Sequence, residues 1–221
     1  MQSINLSILI LTHNRPELFQ RAIASVLDNL PDFPIEILVN NDSRDISEVY
    51  SMSTDITYFY EQSQVLSNLY SLLYNNARGE FIYFLEDDDY LLPGFFDNID
   101  LTYDVNFFEY MSYPLIRILG VAQAYRLIAK SRKINHKDNL KMFIKEFDDE
   151  EFQLGQILFR KSKLPLLPSG NNIYNDYKML CMLANANCSF KYVHAPLWVQ
   201  TTDGNDNISF PCLNIDDRFK S

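Results

Sequence analysis

The sequence predicts an α/β fold, a single mixed, mostly parallel sheet flanked by helices. Three observations predict it. Short apolar runs recur at strand length, each is followed by polar turn residues, and apolar residues then return at spacing near 3.6. Strands and helices alternating at these lengths imply a largely parallel sheet with helices on its faces.

Each element has its own signal. The run INLSILIL (4–11) reads as a buried strand, and Thr12-His13-Asn14-Arg15 as the loop after it. Pro16 suits a first helical position, where a missing N–H costs nothing, and Leu18, Ala22, Val26 and Leu27 carry a helix through residue 28. IEILV (35–39) is a second strand ending in NNDSRD, and ITYFY (56–60) a third. Leu66, Leu69, Leu72 and Leu73 then mark one side of a helix over 65–77, stopped by Gly79, before EFIYFL (80–85) forms a fourth strand. Residues 101–115 are aromatic-rich, and core packing is their default role. Further on, FQLGQILFRK (152–161) reads as a strand, YNDYKMLCMLANA (174–186) as a helix, and SFKYVHAPLWVQ (189–200) as a strand region broken by Pro196. Ligands in such sheets bind beyond the carboxyl ends of the strands, so the loops at 12–15, 40–45 and 86–89 are expected on one rim.

Composition narrows the function. The 221 residues suit one domain, with 47% hydrophobic and 22% charged residues, the make-up of a globular chain. No signal peptide or bilayer-length apolar run is present, and three cysteines without a C-x-x-C pair make a zinc site or disulfide scaffold unexpected. A cytoplasmic setting follows as the simplest expectation. The net charge of −10 is uneven: residues 1–115 carry −14, residues 116–145 carry +7, and the remainder −3. Overall acidity disfavours general nucleic-acid binding, while the basic block could meet an anion or be a solvated helix face. The P-loop, dinucleotide-binding, nucleophile-elbow and zincin signatures are absent.

One stretch stands out. FLEDDDYLLPGFF (84–96) sets Glu86, Asp87, Asp88 and Asp89 side by side at the end of a buried strand. Like charges there repel, so the run is either a solvated acidic turn or a place for a cation. Mg²⁺ and Mn²⁺ prefer carboxylate oxygens and commonly share them with phosphate, which points to a diphosphate leaving group.

ILILTHNRPELFQRAIASVL, IEILVNNDSRD, ARGEFIYFLEDDDYLLPGFF and YNDYKMLCMLA occur in the order and spacing of family 2 glycosyltransferases, which the chain resembles densely over residues 4–100 and loosely over 152–209. The resemblance implies a GT-A fold and an inverting, nucleotide-sugar-dependent enzyme using Mn²⁺ or Mg²⁺. It divides the single domain (1–221) into a nucleotide-sugar half (4–100), an acceptor half (101–209) and a tail (210–221). It implies donor contacts at Thr12, His13, Asn14, Arg15, Asn41, Asp42, Glu86 and Asp87, and metal contacts at Asp88 and Asp89. Asp176, in the position of the family's second-half carboxylate, would be the general base; its bland reading is a helix N-cap.

The chain also departs from the pattern. Asn40 and Asn41 stand where acidic residues usually face the base, Glu86 replaces the first Asp, Asn175 replaces a Glu, and the late histidine is missing before Asn205. A UDP-sugar is the leading donor. The acceptor is a glycan or modified DNA: some phage enzymes of this kind glycosylate hydroxymethylcytosine. Arg126, Arg132, Lys133 and Lys137 of the basic block would then contact phosphates of a DNA whose target base is turned out. No membrane segment is expected, and oligomeric state is open. A nucleotidyltransferase or an inactive sugar-binding domain are the other readings.

Overall fold

The structure is a computed structural model and describes residues 3–41, 56–63, 65–112, 138–146, 152–169 and 175–201. Among these residues, eight strands form one sheet. The strands are β1 (Leu6–Thr12), β2 (Ile35–Asn41), β3 (Ile56–Phe59), β4 (Phe81–Phe84), β5 (Tyr90–Leu91), β6 (Val105–Ser112), β7 (Ile157–Arg160) and β8 (Phe190–Gln200), in the order β3-β2-β1-β4-β7-β6-β8-β5. The helices are α1 (Pro16–Leu27), α2 (Leu66–Asn76), the single-turn α3 (Leu140–Phe143) and α4 (Asn175–Asn185).

Strand periodicity of two splits the apolar side chains between two cores. Leu6, Ile8 and Ile10 of β1 join Phe19, Ala22, Ile23 and Val26 of α1 on one face. Leu9, Leu38 and Phe84 join Leu73 of α2 and Met179, Leu180 and Leu183 of α4 on the other. Burial on both faces explains why these strands read as continuous apolar runs.

Pairing directions set the working rim. β3, β2, β1 and β4 are mutually parallel, β7 is antiparallel to both β4 and β6, and β8 is parallel to β6. The carboxyl ends of β1, β2, β4, β6 and β8 therefore all point the same way. The chain steps outward from β1 to β3 and returns to β4 on the other side of β1, so the order reverses between β1 and β4. At the opposite end Gly79 lies against β1 so closely that a Cβ would stand 2.4 Å from Ser7 N. There Ser7 Oγ donates to the buried Glu36 carboxylate at 2.6 Å, and Arg78 Nε pairs with the same group at 2.7 Å.

Two expectations need correction. Pro196 does not break the last strand: β8 runs on to Gln200, with register shifts against Glu109 and Tyr110 absorbing the irregularity. The strand expected over 152–161 is confined to β7, after a 3-10 turn at Leu154–Gln156, whereas the aromatic stretch contains β6, whose Phe107 and Phe108 enter opposite cores as its packing role expects. Among the described residues no helix is long and apolar enough to cross a membrane.

Candidate active site

Two loops meet where the strand order reverses. After β1, Asn14 takes a left-handed conformation (φ 51°), which asparagine tolerates better than most residues. Pro16 then opens α1 directly behind Arg15. Arg15 reaches back to the loop after β4: Nη2 lies 3.0 Å from Asp87 Oδ1 and Nη1 3.0 Å from Asp88 Oδ2. The His13 N–H donates to Asp87 Oδ2 at 3.4 Å, and the Thr12 hydroxyl bonds the same carboxylate. Asp87 is thus occupied by the first loop.

The remaining acids face one another. Glu86, Asp88 and Asp89 each offer a carboxylate oxygen, all within 4.8 Å of one another. Asp89 is 1% exposed; its Oδ1 accepts from Thr201 N–H at 2.9 Å, whereas Oδ2 has no hydrogen-bond partner. Burial pushes Glu86 up to about 8, with the charges of Asp88, Asp176 and Asp87 adding to the effect and Arg15 opposing it. Asp87 rises to about 6 through burial despite Arg15, and Asp89 rises well above its ordinary value through burial, Glu86 and Asp88. Packed carboxylates that resist ionisation, plus a buried oxygen without a donor, fit a hard divalent cation. Glu86, Asp88 and Asp89 are the residues that would hold it.

Arg21 of α1 carried no signal in the sequence, yet it braces this loop. It donates to the Asp88 carbonyl oxygen and to Thr201 Oγ1 (2.8 Å), and its guanidinium lies 4.7 Å from the Tyr90 ring centroid. One side chain so joins α1, the acidic loop, β5 and the end of β8.

Asp176 enters from the other half of the chain. It occupies the first turn of α4, inside the helix and not before it. Burial pushes its carboxyl up to about 7, and its charge is felt by both Glu86 and Tyr70. Tyr70 of α2 packs edge-on against Phe84 with centroids 5.4 Å apart. Burial and the charges of Glu86, Asp176, Asp87 and Asp88 raise its hydroxyl, which stays protonated before the acids.

The sheet thus brings together Thr12, His13, Arg15, Glu86, Asp87, Asp88, Asp89 and Asp176. Asn41 ends β2 in register with Thr12 on the same rim. Asn40 does not face a base: it is buried and its amide is bound to the backbone of Glu61. Asp42, Arg44, Arg126, Arg132, Lys133, Lys137 and the 203–209 segment lie outside the described residues.

Residues 7–99 match the family model described as glycosyl transferase family 2. The matched span is less than half of the 221-residue chain. The acidic loop and Arg15 lie inside that span, whereas Asp176 lies beyond it. No curated protein matches the sequence. Among solved structures, S. aureus TarS residues 1–349 is similar at TM-score 0.66 and 15% identity, over 90% of this chain and 60% of that one. The UDP complex of the same protein gives 0.66 at 14% identity (90% and 61%), and its UDP-GlcNAc complex 0.64 at 15% (93% and 61%). The chain spans 60–61% of the length of that TarS fragment. The likeness establishes the fold, which is the expected GT-A architecture.

Proposed function

We propose that the chain transfers a sugar from a nucleoside-diphosphate donor to an acceptor hydroxyl with inversion, using Asp176 as base. The observation that carries this reading is the convergence of Asp176, at the head of α4, on the acidic loop that closes β4 beside Arg15. Arg15 lies where a diphosphate would meet the loop and supplies positive charge to it. A divalent cation on Glu86, Asp88 and Asp89 would neutralise the leaving diphosphate. Thr12, His13, Asn14, Asn41 and Asp42 are assigned to the donor, whose nucleotide is uridine diphosphate in this reading. TarS has been crystallised with UDP and with UDP-GlcNAc, which supports that choice.

In the reaction the acceptor oxygen bonds to the anomeric carbon as the bond from that carbon to the diphosphate oxygen breaks. The bonding pair leaves with the nucleotide, and the acceptor proton passes to the Asp176 carboxylate. A carboxylate held near 7 by burial takes that proton more readily than an exposed aspartate would. The Tyr70 hydroxyl, kept neutral, can donate to the acids without adding charge.

For the acceptor, the +7 block at residues 116–145 favours a polyanion over a neutral glycan, and hydroxymethylcytosine in DNA is the proposed class. Transfer to such DNA should fall steeply with added salt, while salt-indifferent transfer to a neutral glycan would overturn the assignment. For the donor half, UDP-sugars are incubated with the chain and Mn²⁺. Release of UDP that is lost in Asp88→Ala and Asp176→Asn is expected. Pyrophosphate release from a nucleoside triphosphate would instead identify a nucleotidyltransferase.

A further inference from the structure

Asn40, expected beside the donor base, is engaged elsewhere. It is 1% exposed, and its amide makes two bonds to one residue. Nδ2 donates to the Glu61 carbonyl oxygen at 3.0 Å, and Oδ1 accepts from the Glu61 N–H at 3.0 Å. The paired register of β2 and β3 ends at Asn40 and Phe59, so the amide adds a rung beyond the end of β3. Only an amide performs both halves. An aspartate would accept from the N–H but set its second oxygen against the carbonyl.

The segment that follows is held at its other end too. Ser63 Oγ accepts from the Val65 N–H at 3.1 Å and from Asn68 Nδ2 at 3.4 Å, at the turn into α2. Side chains therefore hold Glu61 and Ser63 beside the working rim.

Its position gives that rigidity a use. Arg15 and the acids mark the crevice between β1 and β4, and Asp176 belongs to α4, which leads into β8 on the far side of β4 from β1. A donor with its diphosphate in the crevice and its sugar toward Asp176 must send its nucleoside the other way. That path crosses the ends of β1 and β2 and reaches Glu61 after two strand spacings, about 10 Å.

We propose that Asn40 is a positioning residue for the donor's nucleoside: by clamping Glu61 it sets residues 60–63 as the wall against which the base packs. This deepens the nucleotide-sugar reading above and rests on it. Pyrophosphate, which lacks a nucleoside, separates the two. Calorimetric titration of the full chain with UDP and with inorganic pyrophosphate, both with Mn²⁺, is compared for the parent, Asn40→Asp and Ser63→Ala. Asn40→Asp should weaken UDP about 10-fold, the scale of one lost base contact, and leave pyrophosphate within about 2-fold. Ser63→Ala should weaken UDP about 3-fold with the same selectivity, and it decides the matter by that ratio if Asn40→Asp does not fold. Parallel loss of both probes would reduce Asn40 to a structural role, and unchanged UDP binding in both variants would also overturn the proposal. A parent chain that binds pyrophosphate but no member of a UDP, GDP, CDP and dTDP panel overturns the wall. A parent that binds neither class overturns the donor reading itself.

Discussion

Replacing Arg15 by alanine should cost stability in a way that depends on pH. The guanidinium touches Asp87 and Asp88 at 3.0 Å each, with 15% of the side chain exposed. Opposite charges about 4 Å apart are worth about 4 kcal/mol at an effective dielectric of 20, and removing one member of a buried pair costs about 3–5 kcal/mol. Taking about 3 kcal/mol for this partly exposed arginine, a chain of this size should lose about 6–12 °C in Tm. The sign with pH follows from the raised carboxyls. Glu86 near 8 and Asp87 near 6 are harder to ionise in the fold than in the unfolded chain, so the metal-free fold loses stability as pH rises through those values. Arg15 offsets that loss. The gap between parent and Arg15→Ala should be largest at about pH 8 and shrink by more than half at about pH 5, and Mn²⁺ should narrow it at the higher pH. Thermal denaturation in matched buffers with chelator or Mn²⁺ measures all three. A gap independent of pH, or one under about 2 °C throughout, would refute the argument that Arg15 holds down a repelling cluster.

The other predictions concern the base, the far end of the sheet and its buried acid. Asp176→Asn should lower transfer about 10²–10⁴-fold while UDP affinity is unchanged, and parent turnover should rise with pH through about 7 as the carboxylate forms. An unchanged rate in that variant, or turnover falling over that range, would contradict the base assignment. Gly79→Ala places a Cβ 2.4 Å from Ser7 N on a central strand, a clash with backbone that cannot rotate away, and should cost about 3 kcal/mol in chemical denaturation. For Glu36, burial raises the carboxyl, but bonds from Ser7 and Arg78 outweigh it and hold the group below its ordinary value of 4.5. Its contribution is thus present above that value and lost as pH falls below it, so the Tm gap between parent and Glu36→Gln should be wide at about pH 7 and narrow steadily as pH falls below the ordinary value.

Much of the first half was legible because its strands are buried on both faces and Pro16 marks the start of α1. Gly79 is not the helix stop that was expected: α2 ends at Asn76, and the glycine instead allows close packing on β1. Pro16 and the acidic loop both fell where the sequence indicated. β6 was not legible: Phe107 and Phe108 point into opposite cores, and buried Asn106 and Glu109 interrupt the apolar run, so neither alternation nor continuity shows. Asn106 is bound to Asp100 through both its amide groups, at 2.9 and 3.1 Å, much as Asn40 is bound to Glu61. Such clamps look like polar loop residues in a sequence. Arg21 was invisible for another reason: its partners Asp88 and Thr201 lie 67 and 180 residues away, and no local pattern marks a bond of that span.

The most direct measurement is anomalous scattering from a crystal of the chain grown with Mn²⁺ and UDP. The account predicts a manganese peak bonded to Asp88, shared with diphosphate oxygens, and placed between Arg15 and the head of α4. Nucleotide bound elsewhere, or manganese held apart from that acidic loop, would contradict it.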